Sequence, residues 1–189
     1  MNDNYDFVNV TDADVQALVH VINLQGADLV GAEIGVYQGS STMTLLHNCP
    51  SIKTLHAVDA FQPYVDMMYP HRPNNTTDRI IDRARIQFYH SIKFSGMEDK
   101  VCVHEMDSDI AVNEFKDQSL DFIFLDAYIS EEKTMSDIEL WYPKVKRGGV
   151  FAGDDWGSRF VQIAVNNFRE KNDIHHPMST FNDNWVWIK

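Results

Sequence analysis

Three acids, Asp126, Asp154 and Asp155, stand where two apolar runs stop, "FIFLD" and "GVFAGDD". If those runs are neighbouring parallel strands, the carboxylates meet at one edge of a sheet. Carboxylates that close repel unless a proton or a cation joins them, and an all-oxygen donor set suits a hard divalent ion, Mg²⁺ with Mn²⁺ or Ca²⁺ as alternatives. The blander reading has Asp155 capping the next helix and Asp154 facing water. A second constellation is "AEIGVYQGSST", residues 32–42. Ligands of parallel sheets bind beyond the carboxyl ends of the strands, and a glycine's missing Cβ allows close approach to the backbone there. Glu33 can hold a loop amide or a ligand ammonium, while Ser40, Ser41 and Thr42 can cap the next helix and donate to a carboxylate at its positive end. Asp59 closes the next apolar run, about 20 residues beyond the glycines, where an acid accepts two hydrogen bonds from a ribose diol. Together these two features indicate a nucleoside cofactor.

The elements that must position these groups alternate. "VTDADVQALVHVINLQG" predicts a helix with Thr11 as N-cap, Asp14 at the capping-box position and Gly26 as stop, an N-terminal segment over 1–27. Apolar runs at "LVGAEIGV", "TLHAVDAF", "KVCVHEMDS", "LDFIFLDAY" and "GVFAGDDW" each precede a stretch of helical periodicity. Five such repeats predict an α/β fold: a Rossmann-like, doubly wound, mainly parallel sheet with right-handed crossovers and helices on both faces. The tail "HHPMSTFNDNWVWIK" is too short for another repeat and predicts one or two antiparallel closing strands, with Trp185 and Trp187 facing one way. Trp141 is expected to pack its helix onto the sheet. One domain spans 1–189, and its long irregular stretch, 62–77, is a lid loop or a disordered one.

The formal charge of −12 sets this surface against phosphate backbones and anionic membranes, so neither nucleic acid nor membrane is an expected partner. Lys144, Lys146 and Arg147 read as solvated surface, and so do the adjacent His175 and His176, which an extended strand would point to opposite faces. Cys49 and Cys102 match no zinc or redox spacing and imply reduced cysteines in the cytoplasm. No run approaches a membrane span.

The segments "AEIGVYQGSS", "AVDAF", "EMDS", "FIFLDAY" and "KRGGVFAGDDW", spread over residues 29–156, resemble the class I S-adenosylmethionine-dependent methyltransferases, and within them the small metal-dependent O-methyltransferases of the catechol O-methyltransferase type. The resemblance implies that Glu33, Gly35, Tyr37, Gly39 and Ser41 surround the methionine part of S-adenosylmethionine. It places Asp59 at the ribose, Asp107 and Ser108 at the adenine edge, and Tyr128 against the adenine ring. Asp126, Asp154 and Asp155 would hold the metal, with Asp126 also catalytic, and the acceptor would be a hydroxyl of a small molecule. Tyr37 occupies the middle position in Gly35-x-Tyr37-x-Gly39, where a nicotinamide dehydrogenase carries glycine. One departure stands out: Ile129 lies where the catechol-type enzymes carry a lysine and other relatives a histidine. Metal activation alone, a base from His71, Glu131 or Lys133, or a cofactor-binding domain without transferase activity are the alternatives that follow. A homodimer is plausible from the aromatic tail and an open sheet edge.

Overall fold

The computed structural model describes residues 15–63, 78–127 and 130–189. The caps expected at Thr11 and Asp14, most of the 62–77 loop including His71, and Tyr128 and Ile129 lie outside them. Among the described residues, seven strands form one sheet: β1 (Leu29–Ile34), β2 (Ile52–Val58), β3 (Val101–His104), β4 (Leu120–Leu125), β5 (Val145–Gly153), β6 (Met178–Phe181) and β7 (Asn184–Ile188). Their order is β3-β2-β1-β4-β5-β7-β6, with β7 antiparallel to β5 and to β6 and every other pairing parallel. The helices are α1 (Gln16–Asn23), α2 (Ser40–Asn48), α3 (Asp78–Ser95), α4 (Ser108–Ala111), α5 (Glu131–Trp141) and α6 (Arg159–Lys171).

Successive strand residues point to opposite faces, and both faces are covered. Leu55, Ala57, Phe122 and Phe124 pack with Leu18, Ile22, Leu45 and Phe88 from α1, α2 and α3. Ile34, Val58, Ile123 and Phe151 pack with Ala111, Ile138, Trp141 and Val165 from α4, α5 and α6. Burial on both sides is what the near-continuous apolar strands require. Trp141 sits fully buried in the second layer, 5.1 Å from the Phe115 ring. Trp185 and Trp187, two apart on β7, stack at 5.1 Å beside Phe151. Cys49 is buried, its thiol directed at the Val19 carbonyl, and burial pushes its pKa up to about 11.

The sequence starts the fifth strand at Gly149, but β5 begins four residues earlier. Val145 pairs with Leu120, the register then shifts, and Gly148 turns through a φ of 81° before pairing resumes at Val150. "KRGG" is thus a bulge inside the strand, pinned where Lys146 reaches Asp121 at 2.6 Å. Lys144 is likewise paired, with Asp117 at 2.8 Å. No helix among the described residues is long and apolar enough to cross a membrane.

Candidate active site

The order reverses between β1 and β4, so the carboxyl ends of these two strands open a crevice. The loop from β1 enters it under tight steric control. A Cβ on Gly35 would lie 2.1 Å from the Asp126 carbonyl oxygen, and Gly35 has a φ of 89°. Gly39, at a φ of 87°, would put a Cβ 2.8 Å from Phe88. Both glycines are therefore demanded by the chain's own packing, before any ligand is considered. Tyr37 between them is left-handed at 47°, a conformation unfavourable to a non-glycine residue.

Asp59 holds that loop in place. Its Oδ2 accepts from the amides of Val36 at 3.0 Å and Tyr37 at 2.8 Å, and its Oδ1 from the amide of Phe61 at 2.7 Å. A carboxylate has about four acceptor sites, so a ribose diol at Asp59 would share it with the loops. Glu33, fully buried, takes hydrogen bonds from Ser41 Oγ and, at 2.6 Å, from Thr42 Oγ1. These hydroxyls face inward, and α2 has Gly39 as its N-cap with no side-chain cap. Glu33, Gly39 and Ser41 thus sit behind the crevice wall rather than on it, because the acid and the hydroxyls satisfy each other.

The crevice itself is a cavity of about 480 Å³ lined by Gly35, Tyr37, Asp59, Phe61, Ile81, Met106, Asp107, Ser108, Asp126, Lys133 and Asp155 among others. Ser108 Oγ donates to Asp137 Oδ1 at 2.5 Å and accepts from Lys133 Nζ at 2.6 Å, while Lys133 also pairs with Asp137 at 2.9 Å. Lys133, one of the candidate bases, therefore has its ammonium bound into the Ser108 corner. The α3 wall is bolted to the end of β3 by Glu105, which accepts Arg85 Nε and Nη2 at 2.9 Å each and the Tyr89 hydroxyl. The Tyr89 hydrogen bond, with Arg85 in support, holds the Glu105 carboxyl below its usual range.

At the opposite end, Asp126, Asp154 and Asp155 converge, with one carboxylate oxygen from each within 4.8 Å of the others. Asp126 lines the large cavity, Asp154 a smaller one beside it, and Asp155 both. Asn184 on β7 donates to Asp154 Oδ1 at 2.6 Å and Trp185 Nε1 to the Asp154 carbonyl at 3.2 Å, fixing the acid from the antiparallel strand. Asp155 is left-handed at 60° and its carbonyl accepts the Ser158 amide at 2.8 Å, so it turns the chain into α6 by its backbone. Half-buried oxygens from three acids form the donor set that a hard divalent cation takes.

Gly35, Tyr37, Asp59, Asp107, Ser108, Asp126 and Asp155 are thus brought to one cavity, with Asp154 against its edge. Sequence reasoning missed Asn184, Arg85 and Glu105 as supports. Asn184 had a signal, a polar residue opening the otherwise apolar "WVWI", whereas the Arg85–Glu105 contact joins elements whose docking no local spacing reports. His175 is exposed and pairs with Asp173 at 2.7 Å.

A family profile described as a methyltransferase domain matches residues 32–156. A search of curated proteins finds no match by sequence. Among solved structures, the chain is similar to the O-methyltransferase NovP, with a TM-score of 0.66 and 18% identity over 91% of this chain and 79% of that one. It is similar to an O-methyltransferase from Bacillus cereus in complex with SAH, with a TM-score of 0.64 and 18% identity over 97% and 83%. It is also similar to a precorrin 8w decarboxylase from Methanobacterium thermoautotrophicum, with a TM-score of 0.58 and 14% identity over 91% and 86%. At these identities the neighbours speak for the fold and the family match for the membership. Tyr37 in the middle of the glycine turn and the matched profile speak against the dinucleotide reading, and the chain belongs to the methyltransferase domain family, as a class I S-adenosylmethionine-dependent methyltransferase.

Proposed function

We propose that this methyltransferase moves a methyl group from S-adenosylmethionine to a hydroxyl oxygen of a small molecule, assisted by a divalent metal held by Asp126, Asp154 and Asp155. The observation that carries this reading is the meeting of the three carboxylates beside the cavity that Asp59 and Ser108 line. Bound there, Mg²⁺ or a similar ion would lower the pKa of an acceptor hydroxyl and orient it. Asp126 is the catalytic residue of the proposal, because it belongs both to the trio and to the cavity wall. Gly35 and Tyr37 would bracket the methionine part of the cofactor, Asp59 would accept from the ribose, and Asp107 and Ser108 would face the adenine edge. In the reaction the C–S bond of the sulfonium breaks as the O–C bond forms, in line, and the acceptor's proton leaves to solvent. Tyr37 and Phe61 give the cavity an apolar side that would hold water away from the sulfonium.

The net charge of −12 supports a small acceptor over nucleic acid or a membrane surface. The free state of Cys49 and Cys102 supports the cytoplasm as compartment, and exposed Phe181 on the outer strand β6 supports a homodimer. Ile129 supports a second reading, a domain that binds the cofactor without transferring methyl.

Calorimetry with S-adenosylmethionine, with and without Mg²⁺, followed by an assay for S-adenosylhomocysteine release over a panel of catechols and other hydroxyl compounds, separates the two. Both bind cofactor, but only the enzyme turns over. Asp154→Ala is expected to abolish metal dependence and keep cofactor affinity within about threefold, since Asp154, unlike Asp126 and Asp155, lines the smaller neighbouring cavity only. Wild-type turnover in that variant would remove the metal from the mechanism.

A further inference from the structure

The sheet edge opposite the closing hairpin carries a cluster that the methyl-transfer site does not use. His56 on β2 lies directly across from Cys102 on β3, and His104 follows two residues later on the same face of β3. One ligand atom from each lies within 4.8 Å of the other two. His56 Nδ1 and His104 Nε2 are 2.9 Å apart, and His104 Nδ1 is 2.7 Å from Glu114 Oε2. Glu114 fixes the proton on His104 Nδ1 and leaves the Nε2 lone pair turned to His56, so in the metal-free protein His56 Nδ1–H donates to it. Phe115 packs against both imidazoles, 4.9 Å from His56 and 5.4 Å from His104. Cys102 is exposed.

We infer that His56, Cys102 and His104 form a Zn²⁺ site on the β2–β3 edge, with Glu114 orienting His104 from behind and solvent water completing the shell. Two nitrogens and a thiolate are borderline-soft donors, which select zinc over the magnesium suited to the all-oxygen trio. Ligand atoms about 2.0–2.1 Å (N) and about 2.3 Å (S) from a tetrahedral zinc stand roughly 3.3–3.8 Å from one another. Around a zinc the two imidazole nitrogens, now 2.9 Å apart, would open slightly, and Cys102 Sγ, within 4.8 Å of a nitrogen of each ring, would close on the ion. A carboxylate on the far nitrogen of a ligating histidine is the usual support of such a site, and Glu114 already occupies that place. On binding, the thiol of Cys102 gives its proton to solvent, and His56 passes its proton from Nδ1 to Nε2. Burial holds the His56 pKa below its ordinary value, with the neighbouring His104 adding to the effect. A neutral imidazole is the form a metal takes. The site also touches the cavity through the backbone: the Asp59 amide donates to the His104 carbonyl at 3.1 Å, so an ion bound there would brace the strand end that carries the ribose acid.

The test uses the full chain, stripped with chelator under reducing conditions and then titrated with Zn²⁺ against a chromophoric chelator, in parallel with Co²⁺ read by absorption. The expected result is one zinc per chain at micromolar affinity or tighter, with a thiolate-to-cobalt charge-transfer band in the near ultraviolet. Cys102→Ser should remove that band, and Cys102→Ser and His56→Gln should each weaken Zn²⁺ binding by at least about tenfold. The double variant Asp126→Asn, Asp154→Asn should keep both signals, which separates this site from the acidic trio and from the methyl-transfer reading. Circular dichroism checks that each variant is folded, and exposed Cys102 makes its serine variant the one least able to perturb the core. No stoichiometric zinc in the wild type, or zinc that persists in Cys102→Ser and disappears in the aspartate variant, overturns the site.

Discussion

The loops after β1 and β2 and the acids after β4 and β5 share one edge of the sheet, yet the first spaces its acids apart and the second brings three together. In the first region charge is compensated within the chain. Asp59 accepts three loop amides, and Glu33 accepts two hydroxyls from the start of α2. In the second, three like charges are gathered by the backbone, Asp126 and Asp154 by the ends of adjacent parallel strands and Asp155 by a left-handed turn into α6, with Asn184 donating to Asp154. Two unit charges within 4.8 Å of each other repel by at least about 1 kcal/mol in bulk water and by at least about 3 kcal/mol at an effective dielectric of about 20. A nucleoside can dock on a frame that is already formed, whereas a cation among the acids would offset their mutual repulsion.

The two regions meet at Gly35, and the largest expected effect is there. In Gly35→Ala the new methyl would lie 2.1 Å from the Asp126 carbonyl oxygen, on backbone with no freedom to yield. A loss of more than about 3 kcal/mol in urea unfolding is expected, with cofactor binding lost as well. A folded variant that still binds cofactor would mean that the strand ends can part, and that the glycine loop is not a fixed frame for the cofactor. Next comes Glu33→Gln. An amide nitrogen would then face one of the two hydroxyls in a fully buried site, and a drop of about 2 kcal/mol is expected. Asp59→Ala leaves the Val36, Tyr37 and Phe61 amides without that acceptor. A comparable loss of about 1–3 kcal/mol is expected, together with at least about tenfold weaker S-adenosylmethionine binding by calorimetry. Stability lost without affinity would confine Asp59 to the loop.

How much of this could be read from the chain differs between the same two regions. Gly35, Glu33, Gly39 and Asp59 announce themselves because each has a fixed offset from the end of an apolar run, and parallel strands place such offsets at one edge. The acids of the second region were legible for the same reason. What the offsets could not report is direction. Glu33 and Ser41 stand in the expected loop but turn to each other, since a buried carboxylate next to two hydroxyls binds them before any ligand arrives. The bulge at Gly148 was hidden because "KRGG" has the composition of a turn, while its lateral pairing depends on Leu120 and Asp121 in another strand. Asn184 stands out as a polar residue opening an apolar strand, but its reach to Asp154, like the facing of His56 with Cys102, arises only from register across strands, which no spacing within one segment encodes.

The smallest predicted effect has the opposite sign to the others. Asp155→Asn keeps the shape of the side chain, and asparagine tolerates the left-handed φ of 60° as well as aspartate does. It removes one of three neighbouring negative charges. The metal-free protein is therefore expected to gain up to about 1 kcal/mol, seen as a rise of roughly 2–4 °C in Tm, and, under the proposed metal site, to lose part of the stabilisation that added Mg²⁺ would give the wild type. The gain should shrink as salt is raised, because the repulsion it relieves is partly open to solvent. A fall in Tm would show instead that the Asp155 carboxylate supports the turn into α6 much as Asp59 supports the glycine loop. The acid end would then be held as the glycine loop is, by a carboxylate that accepts from the chain, and repulsion among the three acids would not govern its stability.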